Sequence, residues 1–196
     1  TTFGVYFADS KGVKVKKNVI KTNNDDALVL SSNCDNAFID NNTLKNNGET
    51  DAGKAIRLYE VENTIIYNNS IESNDYSGIV ITASNSNSII HNTIKDNDKD
   101  SNSCGIYLAS VSNYVIKHNL VTGSGGANIV LYEDISEVVL SNNTVKDSGH
   151  DGIYIGGSDN VDLWNNTIED TDGSFSDIYL KESSEAIYSI NNEFET

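Results

Sequence analysis

The fold is decided by the stretch from Gly78 to Ile94, which reads Gly-Ile-Val-Ile-Thr-Ala-Ser-Asn-Ser-Asn-Ser-Ile-Ile-His-Asn-Thr-Ile. Ile79 and Ile81 alternate with Val80, and apolar residues resume at Ile89 after a polar turn. Alternation with a period of two is typical of short strands, and runs of Asn and Ser are typical of tight turns. The stretch therefore predicts one coil of a β-solenoid with three short strands.

The same outline recurs along the chain, and an asparagine marks each copy. Successive copies are 24, 27, 23, 27, 24, 23 and 26 residues apart. A large apolar residue lies two positions after each asparagine, which is the period of a strand. This repeat predicts an all-β parallel β-helix of about eight coils of 23–27 residues. The marking asparagines are Asn18, Asn42, Asn69, Asn92, Asn119, Asn143, Asn166 and Asn192.

We expect these asparagines to point inward at one corner of the coil. A buried amide needs hydrogen-bond partners, and identical amides one coil apart are able to bond to each other along the axis. The asparagines are therefore predicted to form a structural ladder rather than a binding site.

The repeat runs through residues 1–196 without a linker, so we expect a single domain. The sequence starts close to a first strand and stops close to a third strand. Open ends of a solenoid expose strand edges and core residues. We therefore expect either a segment of a longer chain or a subunit that stacks end to end with copies of itself.

Composition excludes several classes of partner. The 13 basic and 29 acidic residues give a net charge of −16, which disfavours nucleic acid, and no apolar run is long enough for a membrane span. Cys34 and Cys104 lie about three coils apart at roughly 4.8 Å per coil, which is too far for a disulfide.

The outward residues of the first strands form one column that includes four of the ten tyrosines and the single arginine. Exposed aromatic rings stack on sugars, and arginine binds carboxylates or sulfates. Arg57, Tyr107, Tyr154 and Tyr179 are therefore the candidate carbohydrate-binding residues. The alternative is that tyrosine is simply favoured on an exposed strand.

Acidic residues fill the turns that precede the first strands. Carboxylates stacked on neighbouring coils are able to bind Ca²⁺ or to supply an acid and a base for glycoside cleavage. The calcium candidates are Asp96, Asp98 and Asp100. The alternative is a solvated acidic turn, and the sequence assigns no catalytic residue.

Four residues that precede ladder asparagines start Asn-x-Ser/Thr sequons, and we expect them at an exposed corner where a glycan is able to attach. The repeat itself also generates Asn-Asn-Thr, which is the alternative reading. The four residues are Asn41, Asn68, Asn142 and Asn165.

The apolar columns, the inward asparagine and the variable turn resemble the right-handed parallel β-helix superfamily of pectate lyases and polygalacturonases. The local style, Asn-Asn-Thr-Ile at 165–168 and Gly-Ile-Tyr-Leu at 105–108, is similar to degenerate repeats of archaeal and bacterial surface proteins. It also resembles the periplasmic copper-processing helper of nitrous oxide reductase. The resemblance implies a right-handed helix and a carbohydrate-related function, but a fold alone assigns no chemistry.

Two functions are compatible with these features. The first is an extracellular or cell-surface protein that is structural or interacts with a polysaccharide or surface glycan, as in a surface layer, sheath, fibre or adhesin. The alternative is a polysaccharide-active enzyme, namely a lyase, glycoside hydrolase or epimerase, that uses the outer face of the first strands. Ca²⁺ is the one cofactor that the sequence suggests.

Overall fold

The computed structural model describes residues 3–48, 53–97, 103–169, 171, 173–181 and 184–195. These residues form 21 β-strands and no helix. In chain order the strands are β1 (Val5–Ala8), β2 (Lys14–Lys16), β3 (Val19–Lys21), β4 (Leu28–Ser31), β5 (Phe38–Asp40), β6 (Thr43–Lys45), β7 (Ile56–Tyr59), β8 (Ile65–Tyr67), β9 (Ser70–Glu72), β10 (Ile79–Thr82), β11 (Ser88–Ile90), β12 (Thr93–Lys95), β13 (Ile106–Lys117), β14 (Leu120–Thr122), β15 (Ile129–Ser141), β16 (Thr144–Lys146), β17 (Ile153–Trp164), β18 (Thr167–Glu169), β19 (Ile178–Leu180), β20 (Glu185–Ile190) and β21 (Glu193–Glu195).

Every strand pairs in parallel with the equivalent strand of the next coil. Ile79 of β10, for example, lies opposite Ile56 of β7 on one side and Ile106 of β13 on the other. The third strands form an eight-stranded sheet, and the first and second strands form a 13-stranded sheet. The predicted parallel β-helix of eight coils is confirmed.

Like residues stack along the axis inside the helix. Leu28, Ile56, Ile79 and Ile106 form one continuous inner column, and each of them is fully buried. The column stabilises the coils because each apolar side chain is removed from water by the coils above and below it. The sequence predicted this column from the alternation of apolar and polar residues.

The asparagine ladder is confirmed along the whole helix. Each side-chain amide donates to Oδ1 of the next asparagine over 2.9–3.1 Å, from Asn18 through to Asn192. The six inner members are 1–2% exposed, whereas Asn18 and Asn192 lie in the outermost described coils and are more accessible. Each inner amide also donates to a backbone carbonyl of the preceding coil, as Asn92 does to Ile66 over 2.9 Å.

A second amide ladder was not predicted. Asn23, Asn47, Asn74 and Asn97 lie five positions after the first four ladder asparagines, and each of the first three amides donates to Oδ1 of the next over 2.8 Å. Later coils carry Ser or Thr at this position, and Asn128 bonds to Ser148 there instead. The sequence signal was an Asn at the same offset in four consecutive coils.

The corner before each ladder asparagine has a left-handed backbone. All eight residues there have φ between 52° and 57°. Asn is enriched in this conformation because its short polar side chain bonds locally. This backbone requirement explains why the repeat contains Asn-Asn pairs, as in Asn41-Asn42 and Asn68-Asn69.

Coils five to seven differ from the predicted pattern of three separate strands. β13, β15 and β17 each run through the first corner as one strand of 12 or 13 residues. The backbone still turns there, with φ of 53° at Ser110 and 59° at Asn113, and the register shifts after Ala109. Coil-to-coil hydrogen bonding is therefore continuous across a bent strand.

The outermost coils keep apolar side chains accessible. Leu180 is 51% exposed and Phe194 is 49% exposed. Coverage of these coils by another polypeptide stays a prediction, as does the single-domain boundary at 1–196. No part of the described chain is a helix with the length and hydrophobicity to span a membrane.

Candidate functional site

The outward residues of the first strands share one column, as predicted. The register places Arg57 opposite Val80, Val80 opposite Tyr107, Val130 opposite Tyr154, and Tyr154 opposite Tyr179. Side chains of this column differ in accessibility: Val130 is 9% exposed, whereas Tyr179 is 43% exposed. The column is therefore a continuous surface whose smaller members lie beneath the larger ones.

Two adjoining hollows open on this surface between coils five and eight. The first, of about 290 Å³, is lined by Tyr107, Tyr132 and Tyr154. The second, of about 390 Å³, is lined by Tyr154, Tyr179 and Lys181. His150 and Tyr154 line both. We call this continuous depression the tyrosine groove.

The rings of the tyrosine groove follow one another along the helix axis. The Tyr154 and Tyr179 rings are stacked, with centroids 5.4 Å apart, and the Tyr132 ring lies 6.3 Å from Tyr154. Tyr132 was missed by the sequence analysis because it belongs to the next outward column, two residues beyond Val130. The period of two, continued to the end of the strand, would have found it.

The floor of the groove is apolar. Cys104, Ala127 and Val130 are 7–9% exposed and pack together beneath Tyr107 and Tyr154. Burial raises the pKa of the Cys104 thiol to about 12. Burial also raises the pKa of Tyr107. Both groups are consequently neutral at physiological pH.

Lys181 supplies a cation at one edge of the groove. Its Nζ lies over the Tyr132 ring, 5.5 Å from the centroid. Charge interactions with Tyr154 and Tyr132, and a hydrogen bond with Tyr154, raise the pKa of Lys181, so the amine stays protonated. Lys181 was not among the residues predicted from the sequence, although it directly follows β19, the first strand of coil eight.

His150 and Asp151 form a pair at the centre of the groove. His150 Nδ1 lies 3.1 Å from Asp151 Oδ2, and the imidazole stacks on Phe175 with centroids 3.6 Å apart. Asp151 is 3% exposed, and its Oδ1 accepts the Ser176 backbone N–H over 3.0 Å. Asp151 and Phe175 thus fix the orientation of the His150 imidazole. When Nδ1 carries the hydrogen and donates it to Asp151, Nε2 is left to accept a proton.

Arg57 lies in the predicted column but outside the groove. It belongs to coil three, and the Val80 coil separates it from Tyr107. Its Nη1 is 3.7 Å from Oδ2 of Asp26, a carboxylate that is only 1% exposed. Asp26 Oδ1 accepts the Lys54 backbone N–H over 2.7 Å. The structure therefore gives Arg57 an internal partner.

The acidic turns are not uniformly solvated. Asp26 and Asp151 are buried, and each accepts a backbone N–H from the next coil, so they stabilise the turns. Asp96 is exposed and pairs with Lys95 at 3.6 Å. The other calcium candidates, Asp98 and Asp100, lie outside the described residues. Within the described ranges, no three His, Cys, Asp or Glu side chains are grouped to hold a metal.

The sequon asparagines lie at the left-handed corner described above. Asn41, Asn68 and Asn165 are exposed, and Asn142 is half-buried. Their glycosylation stays a prediction. His91 and His118 occupy the same corner on neighbouring coils, where their rings stack with centroids 4.8 Å apart.

The fold and the groove define a parallel β-helix with an aromatic surface on its first sheet. The chain belongs to the right-handed β-helix family, whose model matches residues 1–138. The family model described as periplasmic copper-binding protein (NosD) matches residues 91–196. These matches confirm the right-handed parallel β-helix that the sequence analysis expected by resemblance. No curated protein sequence matches the chain.

Solved structures with the same fold include two epimerases and one catalytic domain. The periplasmic alginate epimerase AlgG is 16% identical with a TM-score of 0.72, over 97% of this chain and 47% of its own. The A-module of mannuronan C-5 epimerase AlgE4 from Azotobacter vinelandii is 15% identical with a TM-score of 0.68, over 94% of this chain and 54% of its own. The Agl-KA catalytic domain is 15% identical with a TM-score of 0.72, over 98% of this chain and 43% of its own. The chain spans about half the length of these structures.

Proposed function

We propose that this chain is a carbohydrate-binding β-helix module that acts outside the cytoplasm and holds a glycan in the tyrosine groove. The observation that carries the proposal is the row of rings from Tyr107 to Tyr179 on successive coils, with Lys181 beside them. Coils stack at roughly 4.8 Å, which is close to the length of one sugar unit, so the rings match a chain that runs along the axis.

The chemistry of the groove fits a glycan better than a small apolar ligand. Tyrosine rings offer an apolar face to the C–H side of a sugar and a hydroxyl to its oxygens. Lys181 provides a positive charge that binds a carboxylate or sulfate of the ligand, on a chain whose net charge is −16. An acidic polysaccharide is the ligand class that uses both features.

The location outside the cytoplasm is supported by the names of similar proteins. The NosD family model and the AlgG structure are both described as periplasmic. These names do not specify a cell-surface layer, sheath, fibre or adhesin, so that assignment stays a prediction.

Binding is tested by titrating acidic and neutral hexasaccharides into the protein in a calorimeter. We expect Tyr107→Ala and Tyr154→Ala each to weaken binding of the acidic sugars about tenfold or more, because a stacked ring at the centre of a site contributes strongly. Tyr6→Ala is the matched control, since Tyr6 belongs to the same column in coil one and is 53% exposed. Unchanged affinity in both groove variants would place any glycan elsewhere.

A second function, turnover of the bound polysaccharide, is favoured by one observation. The His150 and Asp151 pair lies in the groove with Tyr154 and Lys181. A neutral imidazole oriented by a carboxylate is suited to accept a proton, and a nearby cation stabilises negative charge that develops on the substrate. Incubation with polyuronates, followed by measurement of new reducing ends, unsaturated products and changes at sugar C5, tests it. Activity that survives His150→Gln would exclude this pair as the base.

A further inference from the structure

The largest of the hollows described lies on another face of the helix. It measures about 640 Å³ and is lined by Asp162, Trp164, Asn165, Tyr188, Ile190 and Asn191. These residues belong to the second strands of coils seven and eight and to the corners that follow them. None of them lines the tyrosine groove. This second hollow is therefore a separate feature of the surface.

The side chains of the hollow are arranged across two neighbouring coils. The register places Asp162 opposite Tyr188 and Trp164 opposite Ile190, so the two aromatic residues are diagonal neighbours. Trp164 is 42% exposed and Tyr188 is 59% exposed. Singly exposed aromatic residues are normal on a protein surface, but neighbouring ones that line one hollow form an apolar patch of the kind that marks a ligand or interaction site.

The polar groups of the hollow are oxygen and amide groups. Asn165 and Asn191 are at the left-handed corners, with φ of 54° and 52°, and Asp162 lies at the other end. Amides and a carboxylate bond to hydroxyl groups as both donors and acceptors. Among the described residues that line the hollow there is one carboxylate and no basic side chain. It is thus complementary to a neutral ligand that has an apolar face and many hydroxyls.

We propose that this hollow is a second carbohydrate-binding site, specific for a neutral glycan, in which Trp164 and Tyr188 stack on sugar rings. Its volume falls in the range of about 300–1,000 Å³ that ligand sites occupy, which suffices for two or three sugar units. The site is independent of the tyrosine groove, where Lys181 favours an acidic ligand. A chain with both sites would bind two kinds of polysaccharide at once.

The protein carries its own reporter for this site. Trp164 is the single tryptophan of the chain. Its fluorescence therefore reports on the second hollow, and occupation of the tyrosine groove, which lies on another face of the helix, is expected to leave it unchanged. Titration of the wild-type protein with cellohexaose, mannohexaose and N-acetylchitohexaose is expected to shift the emission for at least one of these neutral sugars.

Variants separate this site from the groove. By calorimetry, we expect Trp164→Ala and Tyr188→Ala to weaken binding of the responding sugar about tenfold or more. Tyr67→Ala is the matched control, because Tyr67 is 38% exposed on the same outer face but belongs to coil three, four coils before coil seven. Tyr154→Ala is the control in the groove. Both controls are expected to bind as the wild type does.

Three outcomes would overturn the proposal. The first is that none of the three neutral hexasaccharides binds, and the second is that binding persists in both Trp164→Ala and Tyr188→Ala. The third is a dimer in sedimentation velocity that Trp164→Ala dissociates, which would make the hollow an interface between copies of the chain. Circular dichroism of each variant verifies the fold, and loss of acidic-sugar binding in Tyr154→Ala alone leaves this proposal unaffected.

Discussion

The side-chain amide of Asn92 donates to Oδ1 of Asn119 over 3.1 Å, across one step of the helix axis. The same Oδ1 accepts the backbone N–H of Asn92 over 2.8 Å. One side chain thus bonds to both the backbone and the side chain of its neighbour. Because this unit repeats in each coil, the ladder fixes the corner between the second and third strands.

Replacing Asn92 by Leu should lower the free energy of unfolding by about 1–3 kcal/mol, because it leaves buried partners in the neighbouring coils unsatisfied. Urea denaturation measures the change. Asn18→Leu is the control, because Asn18 is exposed and its replacement should lower the free energy of unfolding less. If both variants lose the same free energy of unfolding, the buried hydrogen bonds of the ladder do not stabilise the protein more than the exposed ones.

Gly105→Ala should destabilise the helix by about 1–3 kcal/mol through overpacking. A Cβ at this position would lie 2.3 Å from Val121 Cγ1 and 2.8 Å from the Asn128 backbone oxygen. The control is Gly173→Ala, where a Cβ meets nothing within 4 Å. Thermal unfolding compares the two variants, and the steric explanation fails if both unfold at the wild-type temperature.

The stability of the protein should fall between pH 9 and about 12 in part because of Cys104. Burial raises the pKa of this thiol from 9.0 to about 12, so the unfolded chain loses its proton first and binds fewer protons in this window. The contribution of the buried thiol is complete below pH 9 and is lost as the pH rises. Urea denaturation should therefore show a steeper decline for the wild type than for Cys104→Ala. If the free energy of unfolding of the wild type and of Cys104→Ala falls equally with pH, the decline does not come from Cys104.

Arg57→Ala should lower stability by about 1–3 kcal/mol, because it removes a charged partner from the buried carboxylate of Asp26. Because the side chain of Arg57 is 45% exposed, breaking this ion pair should cost less free energy of unfolding than breaking a fully buried pair. The double variant Asp26→Asn/Arg57→Ala should recover part of the loss. Glycan affinity of Arg57→Ala should match the wild type, and a large loss of affinity would return Arg57 to the binding surface.

The amino-acid sequence by itself determined the architecture of this protein. A period of two inside each strand and a period of 23–27 residues between coils place like residues over like, so a solenoid buries the repeated apolar positions together. The ladder followed from the same repeat, as did the shared column of Arg57, Tyr107, Tyr154 and Tyr179. These features depend on position within a coil, which the sequence states directly.

Only the tertiary structure decided which column members act together. Arg57 pairs with Asp26, whereas Tyr132, His150 and Lys181 join Tyr107, Tyr154 and Tyr179 in one groove. It also placed Trp164 beside Tyr188 on a different face. The physical reason is that side chains of neighbouring coils meet across hydrogen-bonded strands while lying about 25 residues apart in the chain. Which of these side chains are in contact depends on their length and on the turn residues that each one contacts. A repeat pattern in the sequence gives no information on these contacts.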